Sequence, residues 1–114
     1  MKWLIAFAFT QAFEVPIYLL AMHRQRLDAL GWERWLIAFG ASALTHPIVW
    51  FVLPTTIKWV SFWGYVAIAE TFAVGAEALI LQRFGVKRPL LLAFVANATS
   101  AGLGLTSRWL FGVP

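Results

Sequence analysis

Residues 66–81 read VAIAETFAVGAEALIL, an apolar run interrupted by Thr71 and by two glutamates, Glu70 and Glu77. Extended outward to Ile57 and Gln82, the run is long enough to cross a bilayer. About 30 Å of hydrocarbon takes roughly 20 helical residues at about 1.5 Å each. An acidic side chain at the centre of such a helix costs about 2.5 to 3.5 kcal/mol of insertion free energy. Glu14 lies inside a second apolar run, so three of the five acidic residues occupy positions that favour apolar ones. These three glutamates are the first candidates for a functional role.

The composition agrees with a membrane protein. Of 114 residues, 61% are hydrophobic and only 12% charged, whereas soluble domains carry about 25% charged residues. That supply cannot cover a water-facing surface. The formal charge of +4 sits at the ends of the apolar runs and not on one basic face, which argues for membrane orientation and against nucleic acid. With no cysteine, disulfides and thiolate metal sites are excluded. The start, Met1-Lys2-Trp3 and an apolar run, imitates a signal peptide but has no A-x-A site before Glu14-Val15-Pro16, so a retained first helix is expected.

Four spans account for nearly all of the chain: about 3–22, 35–53, 57–82 and 89–111. The second is expected to stop at Pro54, and the fourth to start at Pro89, a favoured first helical residue. The expected fold is therefore all-α, an integral membrane bundle of four transmembrane helices in one domain. Six of the nine basic residues (Arg24, Arg26, Arg34, Arg83, Lys87 and Arg88) flank the first and third connections. Lys2, Lys58 and Arg108 lie at the other side. The positive-inside rule then places these two connections in the cytoplasm and both termini outside a bacterial inner membrane. All seven tryptophans (Trp3, Trp32, Trp35, Trp50, Trp59, Trp63 and Trp109) fall in or near the outer turns of the spans, as an aromatic belt requires.

Each span carries one polar stripe at helical spacing. The stripes are Thr10, Gln11 and Glu14 on the first and Ser42, Thr45 and His46 on the second. Glu70 and Glu77 mark the third, and Asn97, Ser100 and Gly104, beside Thr99, the fourth. Counted from the cytoplasmic ends, Glu14 and Asn97 lie about 12 to 13 Å deep, with Glu77 slightly shallower. His46, Glu70, Gln11 and Ser100 lie about 16 to 19 Å deep. Stripes that agree in depth predict one shared interior lined by Gln11, Glu14, Thr45, His46, Glu70, Glu77, Asn97 and Ser100. Pro16 and Pro47 each remove a backbone donor, which frees the carbonyls of Ala12 and Ala43 as further candidate ligands. The small residues Ala93, Ala96, Ala98, Ala101, Gly102 and Gly104 suit close packing of the fourth helix, within this chain or between copies.

The motifs form a pattern. Glu14-Val15-Pro16, Thr45-His46-Pro47, the pair Glu70 and Glu77, and Asn97 with Ser100 and Gly104 resemble a family of small uncharacterised bacterial four-helix membrane proteins. That family carries E-x-P, T-[NH]-P, two acids a heptad apart and N-x-x-S-x-x-x-G in successive helices. The resemblance spans almost the whole chain and implies a four-helix membrane fold with these residues as one motif set. It departs where the family's Asn ahead of the T-[NH]-P element is expected, since Ala41-Ser42-Ala43 stands there. A weaker resemblance links the chain to small multidrug-resistance exporters, which share its length, span number and a glutamate in the first helix.

Three functions compete on these residues. The acids can take up protons or hold a cation as a proton- or cation-linked transporter or channel acting as an oligomer. They can instead be neutral, hydrogen-bonded groups that fix helix register in a subunit or scaffold of a larger membrane complex. Third, His46, Glu70 and Glu14 are the candidate ligands of an intramembrane metal site. Ser100 has no nucleophile elbow and neither histidine is placed to activate it, so no enzyme is expected. No resident cofactor is expected beyond a bound cation, and the expected partners are lipid, further copies of the chain or other membrane subunits. The orientation is testable: a phosphatase that is active only outside the cytoplasm, fused after Pro114, is expected to be active, and a fusion at Asp28 inactive.

Overall fold

The computed structural model describes residues 2–56 and 60–112, with Lys2 and Thr56 described by their backbone alone. The expected third-span start at Ile57, the basic Lys58, Trp59 and the two termini lie outside the described residues, as does the side chain of Lys2. Helix α1 runs over Lys2–Arg24 and α2 over Gly31–Pro47. A π-helical turn, Ile48–Val52, joins α2 to the short α3, Leu53–Thr56, so that these three form one continuous second span. Helices α4, Phe62–Arg83, and α5, Pro89–Phe111, complete the set. Four spans are long and apolar enough to cross a membrane, and the protein is an all-α bundle of four transmembrane helices.

Local chemistry explains the ends. At α1, the Leu27 amide bonds the Met22 carbonyl and the Arg26 amide that of His23, with Arg26 at φ 53°. At α4, Val86 bonds Leu81 and Gly85 bonds Gln82, with Gly85 at φ 86°. Both are the 6→1 and 5→2 closures that satisfy terminal carbonyls, and glycine adopts the left-handed position without a Cβ penalty. Gln25 ties the two connections together, its Nε2 donating to the Lys87 carbonyl and its Oε1 accepting from the Lys87 amide, at 2.8 and 2.7 Å.

Three boundaries differ from the sequence expectation. Helix α2 begins at Gly31 and not at Trp35, because the Glu33 carboxylate accepts from the Leu30 amide at 2.9 Å and caps an earlier first turn. Helix α4 begins at Phe62, after Ser61 accepts from the Gly64 amide at 3.1 Å. Nor does the second span stop at Pro54, which lies within α3.

The π-helical turn has an identifiable consequence. The Leu53 amide bonds the carbonyl of Ile48 and not that of Val49. A π pairing for the Val49 carbonyl would need an amide hydrogen on residue 54, which is proline. The carbonyl so freed accepts from the Tyr65 hydroxyl of α4. In lipid, where water cannot serve, a bonded partner from a neighbouring helix is required.

The helices are neighbours in the cyclic order α1–α2–α4–α5. The long dimension is 43 Å, which matches a bilayer of about 40 to 45 Å including its headgroups. Near the expected cytoplasmic end the interior is apolar, with Tyr18, Met22, Ala38, Leu81, Ala93 and Ala96 all fully or almost fully buried. Alanines on α4 and α5 let the two backbones approach closely. Gly104 likewise sits against α1, where a Cβ would lie 3.7 Å from the Phe9 ring. Ala96→Leu is expected to destabilise the bundle by about 1 to 3 kcal/mol through overpacking, whereas Ala98→Leu, on the exposed face, is expected to be nearly neutral. Unfolding in mixed detergent micelles compares the two.

Candidate functional site

Above the apolar layer the stripes of all four spans enclose a cavity of about 360 Å³. Its floor is built from Glu14 of α1, Thr45 of α2, Glu77 of α4, and Asn97 and Ser100 of α5, all buried. His46 and Glu70, both half-buried, line the wall with Thr10 and Tyr65. Trp50, Pro54 and Arg108 form the opposite end and are exposed. The Arg108 guanidinium carbon lies 5.6 Å from the centre of the Phe62 ring.

The floor is a linked hydrogen-bond network. The Ser100 hydroxyl donates to Glu14 Oε2 at 2.6 Å. The Tyr18 hydroxyl donates to Glu77 Oε1 at 2.6 Å, and Thr45 Oγ1 to Glu77 Oε2 at 3.1 Å. The Asn97 amide donates to the Ala93 carbonyl at 2.8 Å and also reaches Glu77. The Glu14 and Glu77 carboxyls are close neighbours on the floor. Among the described residues no donor reaches Glu14 Oε1, although Glu14 is only 1% exposed. Two carboxyls this close and this sheltered cannot both carry a bare negative charge, so the pair needs a proton or a cation between them.

His46 occupies a different setting. Its ring lies among Trp3, Phe7 and Trp50, with centroids 6.2, 5.4 and 6.2 Å away. Nε2 lies 3.4 Å from Thr10 Oγ1, and Nδ1 has no partner among the described residues.

Seven of the eight expected site residues line the cavity: Glu14, Thr45, His46, Glu70, Glu77, Asn97 and Ser100. Gln11 does not. Its Nε2 donates to Ser42 Oγ at 2.5 Å and joins α1 to α2, with Ser42 and not Gln11 on the cavity lining. Neither Ala12 nor Ala43 lines the cavity, so their proline-freed carbonyls are not ligands there. Among the described residues no three His, Asp or Glu side chains come together as a metal site. The candidate set His46, Glu70 and Glu14 is therefore spread between wall and floor.

Sequence reasoning missed Tyr18, although the signal was present: Glu14, Tyr18 and Met22 repeat at four-residue spacing and share a helix face. It also missed Tyr65 and Arg108. The partner of Tyr65 exists only because the second span changes its backbone pairing. Compared with family models, characterised proteins and solved structures, the chain matches none. The two resemblances therefore rest on this sequence's own motifs.

Tyr18→Phe removes a buried donor to Glu77 and is expected to cost about 0.6 to 1.7 kcal/mol, the range for interhelical hydrogen bonds in membranes. Thr10→Val, which loses only the long contact to His46, is expected to cost less. Reversible unfolding in detergent ranks the two.

Proposed function

We propose that the protein is a small proton- or cation-linked transporter of the bacterial cytoplasmic membrane, acting as an oligomer. One observation carries this reading: two neighbouring carboxyls, Glu14 and Glu77, form the floor of a cavity, and apolar packing backs that floor. A membrane-embedded acid that serves only helix register has no need of a cavity leading to it. Here the carboxyls are reached past Glu70, Thr10 and His46 from the Arg108 end, and are cut off from the basic connections by Tyr18, Met22 and Leu81.

Transport on this plan is an exchange of access. Protons or cations enter from the Arg108 end and load the carboxyl pair. Release on the other side requires the apolar layer to part. Four helices enclose little volume beyond the cavity, which favours several copies working together. In the topology expected from charge, the cavity end faces outward.

A second reading, a scaffold subunit of a larger complex, draws on the same bonds. Tyr18–Glu77–Thr45 joins α1, α4 and α2, and Ser100–Glu14 joins α5 to α1. A register-holding role needs those bonds and nothing more.

Flux of protons and of alkali-metal cations into liposomes separates the readings. Transport requires flux in the wild type that falls at least about tenfold, roughly 1.4 kcal/mol, in Glu14→Gln and Glu77→Gln. Glu33→Gln, outside the cavity, is expected to leave it unchanged. Equal flux in all four proteins overturns the transport reading.

A further inference from the structure

We infer that the floor of the cavity is a binding site for a small, hard monovalent cation, namely Na⁺. The inference rests on the transport reading of this cavity and names the ion.

The unpartnered, almost completely buried Glu14 Oε1 points to a missing positive partner. Its neighbours offer oxygen: the Glu77 carboxyl and the Ser100 and Thr45 hydroxyls. Oxygen donors select hard cations, whereas zinc and the later transition metals favour imidazole or thiolate. The one imidazole nearby, His46, sits on the wall among aromatic rings. Divalent hard ions fit less well. Ca²⁺ takes about six to eight oxygens, and Mg²⁺ demands a near-octahedral shell and keeps several waters. Of the four carboxyl oxygens, three already accept hydrogen bonds from Ser100, Tyr18 and Thr45, which leaves too few for either shell.

Charge and size complete the case. One monovalent ion in place of one proton leaves the charge of the buried pair unchanged, so the exchange adds no net charge to a low-dielectric interior. The principal ligands are carboxylates, whose field is stronger than that of neutral carbonyls, and a strong-field site favours the smaller Na⁺ over K⁺. The charged or titratable groups around the floor are Glu14 and Tyr18 from α1, His46 from α2, and Glu70 and Glu77 from α4. From α5 the nearest is Arg108, at the far end of the cavity.

The test uses the purified full chain in detergent, unfolded thermally at one fixed pH and ionic strength in Na⁺, K⁺ or N-methylglucamine chloride. Na⁺ is expected to raise the midpoint saturably, as a ligand of the folded state does, and K⁺ to resemble N-methylglucamine. Ser100→Ala keeps both carboxyls and is expected to raise the half-saturating Na⁺ concentration about tenfold. Glu14→Gln is expected to abolish the response, and Glu33→Gln to preserve it. Equal effects of Na⁺ and K⁺ overturn the inference, as does an unchanged Na⁺ response in Ser100→Ala. Stronger stabilisation by Ca²⁺ or Mg²⁺ at lower concentration also overturns it. Proton and Na⁺ flux, both measured in liposomes, keep the two ideas apart. Proton flux without a Na⁺ response sinks the ion assignment alone, and a Na⁺ response with flux of neither ion sinks the transport reading alone.

Discussion

Inside a bilayer no water is available to satisfy a polar side chain, so every buried carboxyl must find its partners within the bundle. Glu14 and Glu77 set this requirement for the whole molecule. Glu77 draws Tyr18 from α1 and Thr45 from α2, while Glu14 draws Ser100 from α5. These bonds bring all four spans to one level. The apolar layer of Tyr18, Met22, Leu81 and the α5 alanines packs directly beneath because the same helix faces continue toward the basic connections. Polar convergence and apolar closure are thus two halves of one arrangement.

The second span shows how irregular backbone serves that arrangement. Pro47 and Pro54 bracket a stretch in which pairing shifts from α to π, and the freed Val49 carbonyl meets the Tyr65 hydroxyl. π-helical turns inside α-helices occur frequently at functional sites. Here the turn lies beside the cavity, where Val49, Trp50, Pro54 and Tyr65 all contribute to the wall or the exposed end. Non-helical pairing at membrane depth is tolerated where it lines a cavity or is covered by protein, and both conditions hold.

The site is asymmetric in chemistry as well as shape. The floor holds acids and neutral oxygens, the wall holds His46 among aromatic rings, and the far end holds Arg108 over Phe62. From the exposed end inward the lining runs from Arg108 past Glu70 to the carboxyl pair.

From the residues alone followed the number of helices, the face of each that turns inward, and seven of the residues that line the cavity. Hydropathy sets span length and the 3.6-residue repeat sets which side chains share a face, and both are local properties. Relative height and rotation between helices are not local. Packing of alanines between α4 and α5, and caps such as Glu33 and Ser61, set where each helix begins and how far it slides against its neighbours. Tertiary structure therefore decided that Glu14 lies beside Glu77, that Tyr18 joins them and that Gln11 turns to Ser42 instead. It alone also decided that apolar packing backs the cavity floor, because that layer depends on side chains from different helices meeting at a common depth.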